Sequence, residues 1–327
     1  MKKQNKTKKL SLDQFSTLFI LLGLLIVVIL LIDVLKIGNA GEGWIFLEAN
    51  NMRNILNQVA INAIIAFGMT LVILVNGIDL SAGSIVALSG VILGILFIDL
   101  HLPLVLSYLV VMLVGGLVGL SNGLLVTKVR LPPFIVTLGS YQVFRGLAFL
   151  FVDGQAKFTT EDSFKVVGNY FVFGSIPVSI IIMLVIFILF YVVLGKTTIG
   201  RKLYLVGQNE LAAKYSGVNV DNTRIIAYAL IGVASAVGGI LLASRLGSGS
   251  PNVGVGYELD AIAAVVVGGT SFSGGVGTIP GTLIGVLILG TINNSLNLLG
   301  ISPFFQQITR GLIILLAVII DSKKKLR

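Results

Sequence analysis

Ten apolar runs take up most of this chain, at about residues 15–35, 54–75, 81–98, 103–126, 134–152, 176–195, 225–244, 259–271, 278–299 and 304–320. Most have the roughly 17 to 25 residues that a helix needs to cross a bilayer, and each is bounded by charge, proline or glycine. Only 11% of residues are charged, against roughly a quarter in soluble domains, and the mean hydropathy is +1.02. The fold class expected is all-α: a polytopic membrane protein with about ten transmembrane helices. Some should be broken by glycine-rich segments, since the eighth run is short and rich in glycine.

The cations set the expected topology, because Lys and Arg stay on the cytoplasmic side. With a cytoplasmic N-terminus, the inner segments (the tail before residue 15, 127–133, 196–224 and the C-terminal end) hold 16 Lys and Arg, and the outer loops hold five: Lys36, Arg53, Lys157, Lys165 and Arg245. This bias predicts ten spans with both termini cytoplasmic. The chain would have a basic tail at 1–14, one transmembrane domain at 15–321, and a cytoplasmic loop at 196–224 within that domain. The first run, too long for a signal h-region and followed by no A-x-A-like site, reads as a retained anchor.

The same positions explain the formal charge of +9 without nucleic acid, so no nucleic-acid partner is expected; membrane lipid is. With no Cys and one histidine, His101, beside Pro103 in a connection, the chain has no disulfide, thiolate site or His cluster. No metal, cofactor or catalytic residue is expected. There is no Gly-x-x-x-x-Gly-Lys-[Ser/Thr] phosphate loop either. Any ATP-driven work would need another subunit.

Asn76-Gly-Ile-Asp-Leu-Ser-Ala-Gly-Ser84 lies between two spans and puts a carboxylate, hydroxyls and glycines at membrane depth. Irregular backbone there must be buried in protein or face water, and an intramembrane acid is a candidate functional residue. Asp79 is therefore the first candidate, with Ser81 beside it. The plainer reading is a tight cytoplasmic turn in which Asp79 caps the following helix. The most polar internal stretch is 196–224. Its centre, Asn209-Glu-Leu-Ala-Ala-Lys-Tyr215, combines an N-cap residue with helix formers and a terminating Gly217, which predicts a short helix on the inner membrane face. Such a helix either fits a groove of a partner or is a solvated loop helix.

Further amides recur inside spans: Asn57, Gln58 and Asn62 on the second, Gln142 with Arg145 on the fifth, and Asn293, Asn294 and Asn297 on the ninth. Amides at helical spacing offer donors and acceptors along one face of a path; alternatively they bond between helices. Asn57, Asn62, Asp79, Ser81, Asn293, Asn294 and Asn297 are the candidates for a translocation pathway. Two segments, Gly77 to Gly83 and Gly269 to Gly275, share Gly-x-x-apolar-Ser-small-Gly, each before an apolar span. Duplicated broken helices would produce this pattern, as would small residues that let helices pack closely.

Gly-Ile-Asp-Leu-Ser-Ala-Gly-Ser (77–84), Gly-Gln-Asn-Glu-Leu-Ala-Ala-Lys-Tyr-Ser-Gly-Val-Asn (207–219) and Tyr-Glu-Leu-Asp-Ala-Ile-Ala-Ala-Val-Val-Val-Gly-Gly-Thr-Ser (257–271) carry a resemblance. With Gly-Thr-Leu-Ile-Gly (281–285) and Asn-Asn-Ser-Leu-Asn-Leu-Leu-Gly (293–300), the chain from 50 to 325 resembles the ribose-type permeases of bacterial ATP-binding-cassette (ABC) sugar importers. The resemblance implies a transport subunit, not an enzyme, that moves a monosaccharide inward. It implies three protein partners: a second permease copy in a homodimer, an ATPase subunit, and an extracellular sugar-binding protein. The family's coupling loop maps onto Glu210, Ala212, Ala213 and Gly217. Leu211 and Val276 depart from the family pattern, which often has Ala at the first place and Lys or Arg at the second. The alternative class is a secondary transporter driven by an ion gradient, with Asp79, Glu258 and Asp260 as ion sites; it would not need the helix at 209–217. An intramembrane enzyme lacks a nucleophile with a base partner.

Overall fold

The computed structural model describes residues 19–20, 22–35, 44–172 and 176–325, and the basic tail at 1–14 lies outside them. The described residues are mainly helical. The helices are α1 (Leu22–Val34), α2 (Ala49–Leu74), α3 (Ala82–Asp99), α4 (Leu104–Thr127), α5 (Pro133–Leu150), α6 (Asp162–Asn169) and α7 (Val178–Lys196). They continue as α8 (Thr198–Gln208), α9 (Glu210–Tyr215), α10 (Val220–Leu246), α11 (Tyr257–Val267), α12 (Ile279–Leu298) and α13 (Pro303–Lys325). Strand pairing among the described residues is confined to two-residue ladders: β1 (Lys157–Phe158) with β4 (Ser248–Gly249), and β2 (Phe171–Val172) with β3 (Ile176–Pro177).

Among the described residues six helices, α2, α3, α4, α7, α10 and α12, are long and apolar enough to cross a membrane. They realise six of the ten predicted runs. α5 and α13 are not among the six, and α11 has only 11 residues. The centre of the bundle is α2, where every residue from Ile64 to Val75 is buried; α4 and α7 expose apolar faces such as Leu109, Leu113, Val185 and Ile188. Water would penalise those faces; lipid does not.

Small residues let the helices approach this closely. A Cβ at Gly119 would overlap the Tyr228 carbonyl, and one at Gly232 would overlap the Gly115 carbonyl, so α4 and α10 pack backbone to backbone. The predicted eighth span is a broken element. After α10 ends at Gly247 (φ +63), residues 248–256 run down α3, with Gly249 against Gly90 and Gly254 against Gly83, before α11 begins.

The charged connections sort to two ends. At one, Lys128 Nζ meets Asp221 Oδ2 at 3.0 Å, and Arg224 Nη2 meets Glu210 Oε2 at 2.7 Å. This basic end joins the 127–133 and 196–224 segments. At the other end, Lys157 pairs with Asp99, and β1 pairs with β4. The segments 127–133 and 196–224, both expected on one side from the cation bias, meet at one end.

Candidate functional site

The turn after α2 is set by its own chemistry. Asn76 takes φ +60, a conformation that Asn tolerates better than most residues, and Gly77 N donates back to Val72 O at 2.9 Å. Asp79 and Ser81 are fully buried. One carboxylate oxygen of Asp79 accepts from Ser81 N at 2.8 Å and from Ser81 Oγ at 2.5 Å; the second, Oδ2, has no hydrogen-bond partner. The acid thus closes a tight turn two residues ahead of the helix cap, which is Ser81 itself.

Sequence reasoning missed the rest of this network. Asn122 of α4 donates to Ser81 Oγ at 2.9 Å, and Ser140 of α5 donates to Asn122 Oδ1 at 2.5 Å. Thr137 Oγ1 and Tyr228 OH both donate to Ile78 O, at 3.3 and 3.2 Å. A lone Asn within the run 103–126 was the available signal. Asp33 was missed likewise: its carboxylate accepts from the backbone N–H groups of Ile45, Phe46 and Leu47.

The amides predicted to line a path divide into two groups. Asn57 accepts from Ser179 Oγ at 2.5 Å, joining α2 to α7, and Asn294 exchanges two hydrogen bonds with Asn51 at 2.7 and 3.1 Å, joining α12 to α2. Asn62, Asn293 and Asn297 instead converge on a cavity of about 420 Å³, together with Gln58, Gln306 and the Arg310–Asp260 ion pair at 3.3 Å. The volume falls within the roughly 300–1,000 Å³ of small-molecule sites. Such a lining of amides with one ion pair offers directed donors and acceptors to a hydroxyl-rich solute. Arg245 and Leu246 place this cavity toward the end away from the basic loops.

A second cavity, about 830 Å³, opens among the loops of the basic end, between the Asn76–Gly77 turn, Arg130 and the Glu210–Arg224 ion pair. Beside it stands α9, capped as its sequence predicts: Asn209 Oδ1 accepts from Ala212 N at 2.9 Å, and Gly217 is left-handed at φ +78. Ala213 is buried at 2% exposure, whereas Leu211 (66%) and Tyr215 (88%) face outward with Glu210 and Ala212. Among the described residues no group of three or more His, Cys, Asp or Glu could hold a metal ion.

The ribose import permease protein of Bacillus subtilis (strain 168) is 48% identical over 281 residues, covering 85% of this chain and 87% of the relative. The ribose import permease protein of Haemophilus influenzae is 46% identical, covering 85% and 86%. The galactose/methyl galactoside import permease protein of Escherichia coli (strain K12) is 40% identical over 299 residues, covering 86% and 89%. No solved structure matches the chain. Residues 51–318 match the family described as branched-chain amino acid transport system / permease component, and the chain belongs to that permease family.

Proposed function

We propose that the chain is the membrane-spanning subunit of an ABC importer that brings ribose into a bacterial cytoplasm. What carries the reading is identity of 46–48% to ribose import permeases over 85% of the chain. The ten predicted runs are its ten crossings, with 248–256 and α11 together making the eighth. Both termini and the basic end face the cytoplasm, following the positive-inside rule.

In this reading sugar passes from an extracellular binding protein into the polar cavity, where Asn62, Asn293 and Asn297 exchange hydrogen bonds with its hydroxyls. Asn57 and Asn294 hold the walls in register through Ser179 and Asn51. Asp79 and Ser81 shape the inner end of the path by fixing the turn. A second copy of the chain completes the assembly as a homodimer, and an ATPase subunit docks at the basic end. Leu211 and Tyr215, one turn apart on the exposed face of α9, are the apolar anchors offered to an ATPase groove. Ala212 permits close approach, Glu210 is held by Arg224, Ala213 seats the helix, and Gly217 ends it.

The test is uptake in proteoliposomes holding the permease, its ATPase and its binding protein, across a panel of ribose, galactose, xylose and nucleosides. ATP-dependent uptake of ribose above the others is expected. Uptake driven by a proton or sodium gradient without ATP would overturn the assignment.

A further inference from the structure

At the basic end, three hydrogen bonds join α8 and the end of α2 to the loop ahead of α12, and a fourth joins the turn after α2 to α8. Gly275 N donates to Leu74 O at 3.0 Å, and Asn76 Nδ2 donates to Gly207 O at 3.2 Å. Gln208 Nε2 donates to Gly275 O at 3.2 Å, and Tyr204 OH donates to Gly277 O at 2.7 Å. At Gly207 the backbones of α8, α2 and the loop meet without a side chain between them. A Cβ at Gly207 would overlap the Leu74 carbonyl and come within 2.5 Å of Gly275 N. Gly274 and Gly275 are left-handed, at φ +75 and +72, and lie against Asn76 and Gln208. Close-packed backbone transmits displacement and does not absorb it.

The two helices that leave this junction, α2 and α12, both contribute to the lining of the polar cavity. Asn62 lies twelve residues before Leu74 on α2, about 18 Å along a helix that rises 1.5 Å per residue. On α12, Asn293 lies fourteen residues beyond Ile279, about 21 Å away by the same rise. Thr70 Oγ1 meets Thr282 Oγ1 at 2.7 Å between them, so α2 and α12 are also tied just beyond the junction.

We propose that the contacts of Tyr204 and Gln208 with the 274–277 loop form a clasp that carries motion of the α8–α9 segment to α2 and α12, and so to the cavity walls. Tyr204 and Gln208 are positioning residues: they touch neither sugar nor ATPase in this scheme. The proposal rests on α9 being the ATPase docking element, as inferred above.

The experiment pairs Tyr204→Phe with Gln208→Ala in the full permease–ATPase–binding-protein complex in proteoliposomes. Three quantities are read: ATPase co-purification, ATP hydrolysis stimulated by sugar-loaded binding protein, and sugar uptake. With the clasp cut, assembly and stimulated hydrolysis are retained, and ATP hydrolysed per sugar imported rises at least about fivefold, the lower range of an allosteric coupling. An unchanged ratio overturns the proposal. So does loss of co-purification or a proportional fall of hydrolysis and uptake, since either would make the contacts mere support for the fold. Gly217→Val, measured alongside, separates the two readings: normal co-purification in that variant removes α9 as the docking element, whatever the ratio in the clasp variant.

Discussion

Arg145 Nη1 donates to the Val253 carbonyl at 2.6 Å, from the inward face of the largely exposed helix α5 to a stretch of chain that is not helical. The same nitrogen reaches Pro251 O at 2.7 Å, and Nη2 reaches Gly83 O at 3.3 Å. One guanidinium thereby satisfies carbonyls that the broken element between α10 and α11 would leave orphaned. Irregular backbone at membrane depth persists only where protein supplies such partners.

Arg145→Met should therefore destabilise the protein by about 3 kcal/mol, the cost of leaving buried carbonyls unpaired. Arg145→Lys, with a single point charge in place of a fork, should fall between the two. Thermal unfolding of the purified permease in detergent checks the order; equal melting of Arg145→Met and wild type would mean that water already serves these carbonyls.

Gly83 and Gly139 make a matched pair. A Cβ at Gly83 would overlap Glu258 Oε2 and the Gly254 carbonyl, whereas one at Gly139 meets nothing within 4 Å. Gly83→Ala should lose about 1–3 kcal/mol by overpacking and lower uptake with it, and Gly139→Ala should stay within about 0.5 kcal/mol of wild type. Melting and uptake of the two variants side by side decide the matter.

Asp79→Asn should retain most transport, because an amide oxygen can still accept the Ser81 N–H bond; the expected cost is about 1 kcal/mol. Ser81→Ala should cost more, about 1–3 kcal/mol, since it strips a partner from both Asp79 and Asn122. Uptake abolished in a normally folded Asp79→Asn protein would point to an ion-binding carboxylate.

Because the chain has no cysteine, topology can be read by labelling. A cysteine at exposed Thr160 should react with an impermeant thiol reagent added to intact cells, and one at exposed Asn209 should react only after permeabilisation. Labelling of position 209 from outside would change the number of crossings.

Features with local causes were legible in the sequence. Long apolar runs specify helices because lipid leaves the backbone no other partner, and Lys and Arg sort the loops into two ends. Asn209 and Gly217 bound α9 because a cap oxygen and a left-handed glycine act within a turn of their own position. The turn at Asp79 is local as well, since its acceptor reaches Ser81 two residues on. Which amides face a cavity was decided only in three dimensions. Asn293 and Asn294 are adjacent in sequence, yet one lines the cavity and the other is committed to Asn51, more than 240 residues away in the chain. Likewise Asn122 gains its role from Ser81 and Ser140, and Arg145 from carbonyls about a hundred residues on. A side chain's periodicity gives its direction from its own helix axis; what waits there depends on how the helices pack, and glycine-lined contacts such as Gly119 on Tyr228 set that packing between segments far apart in sequence.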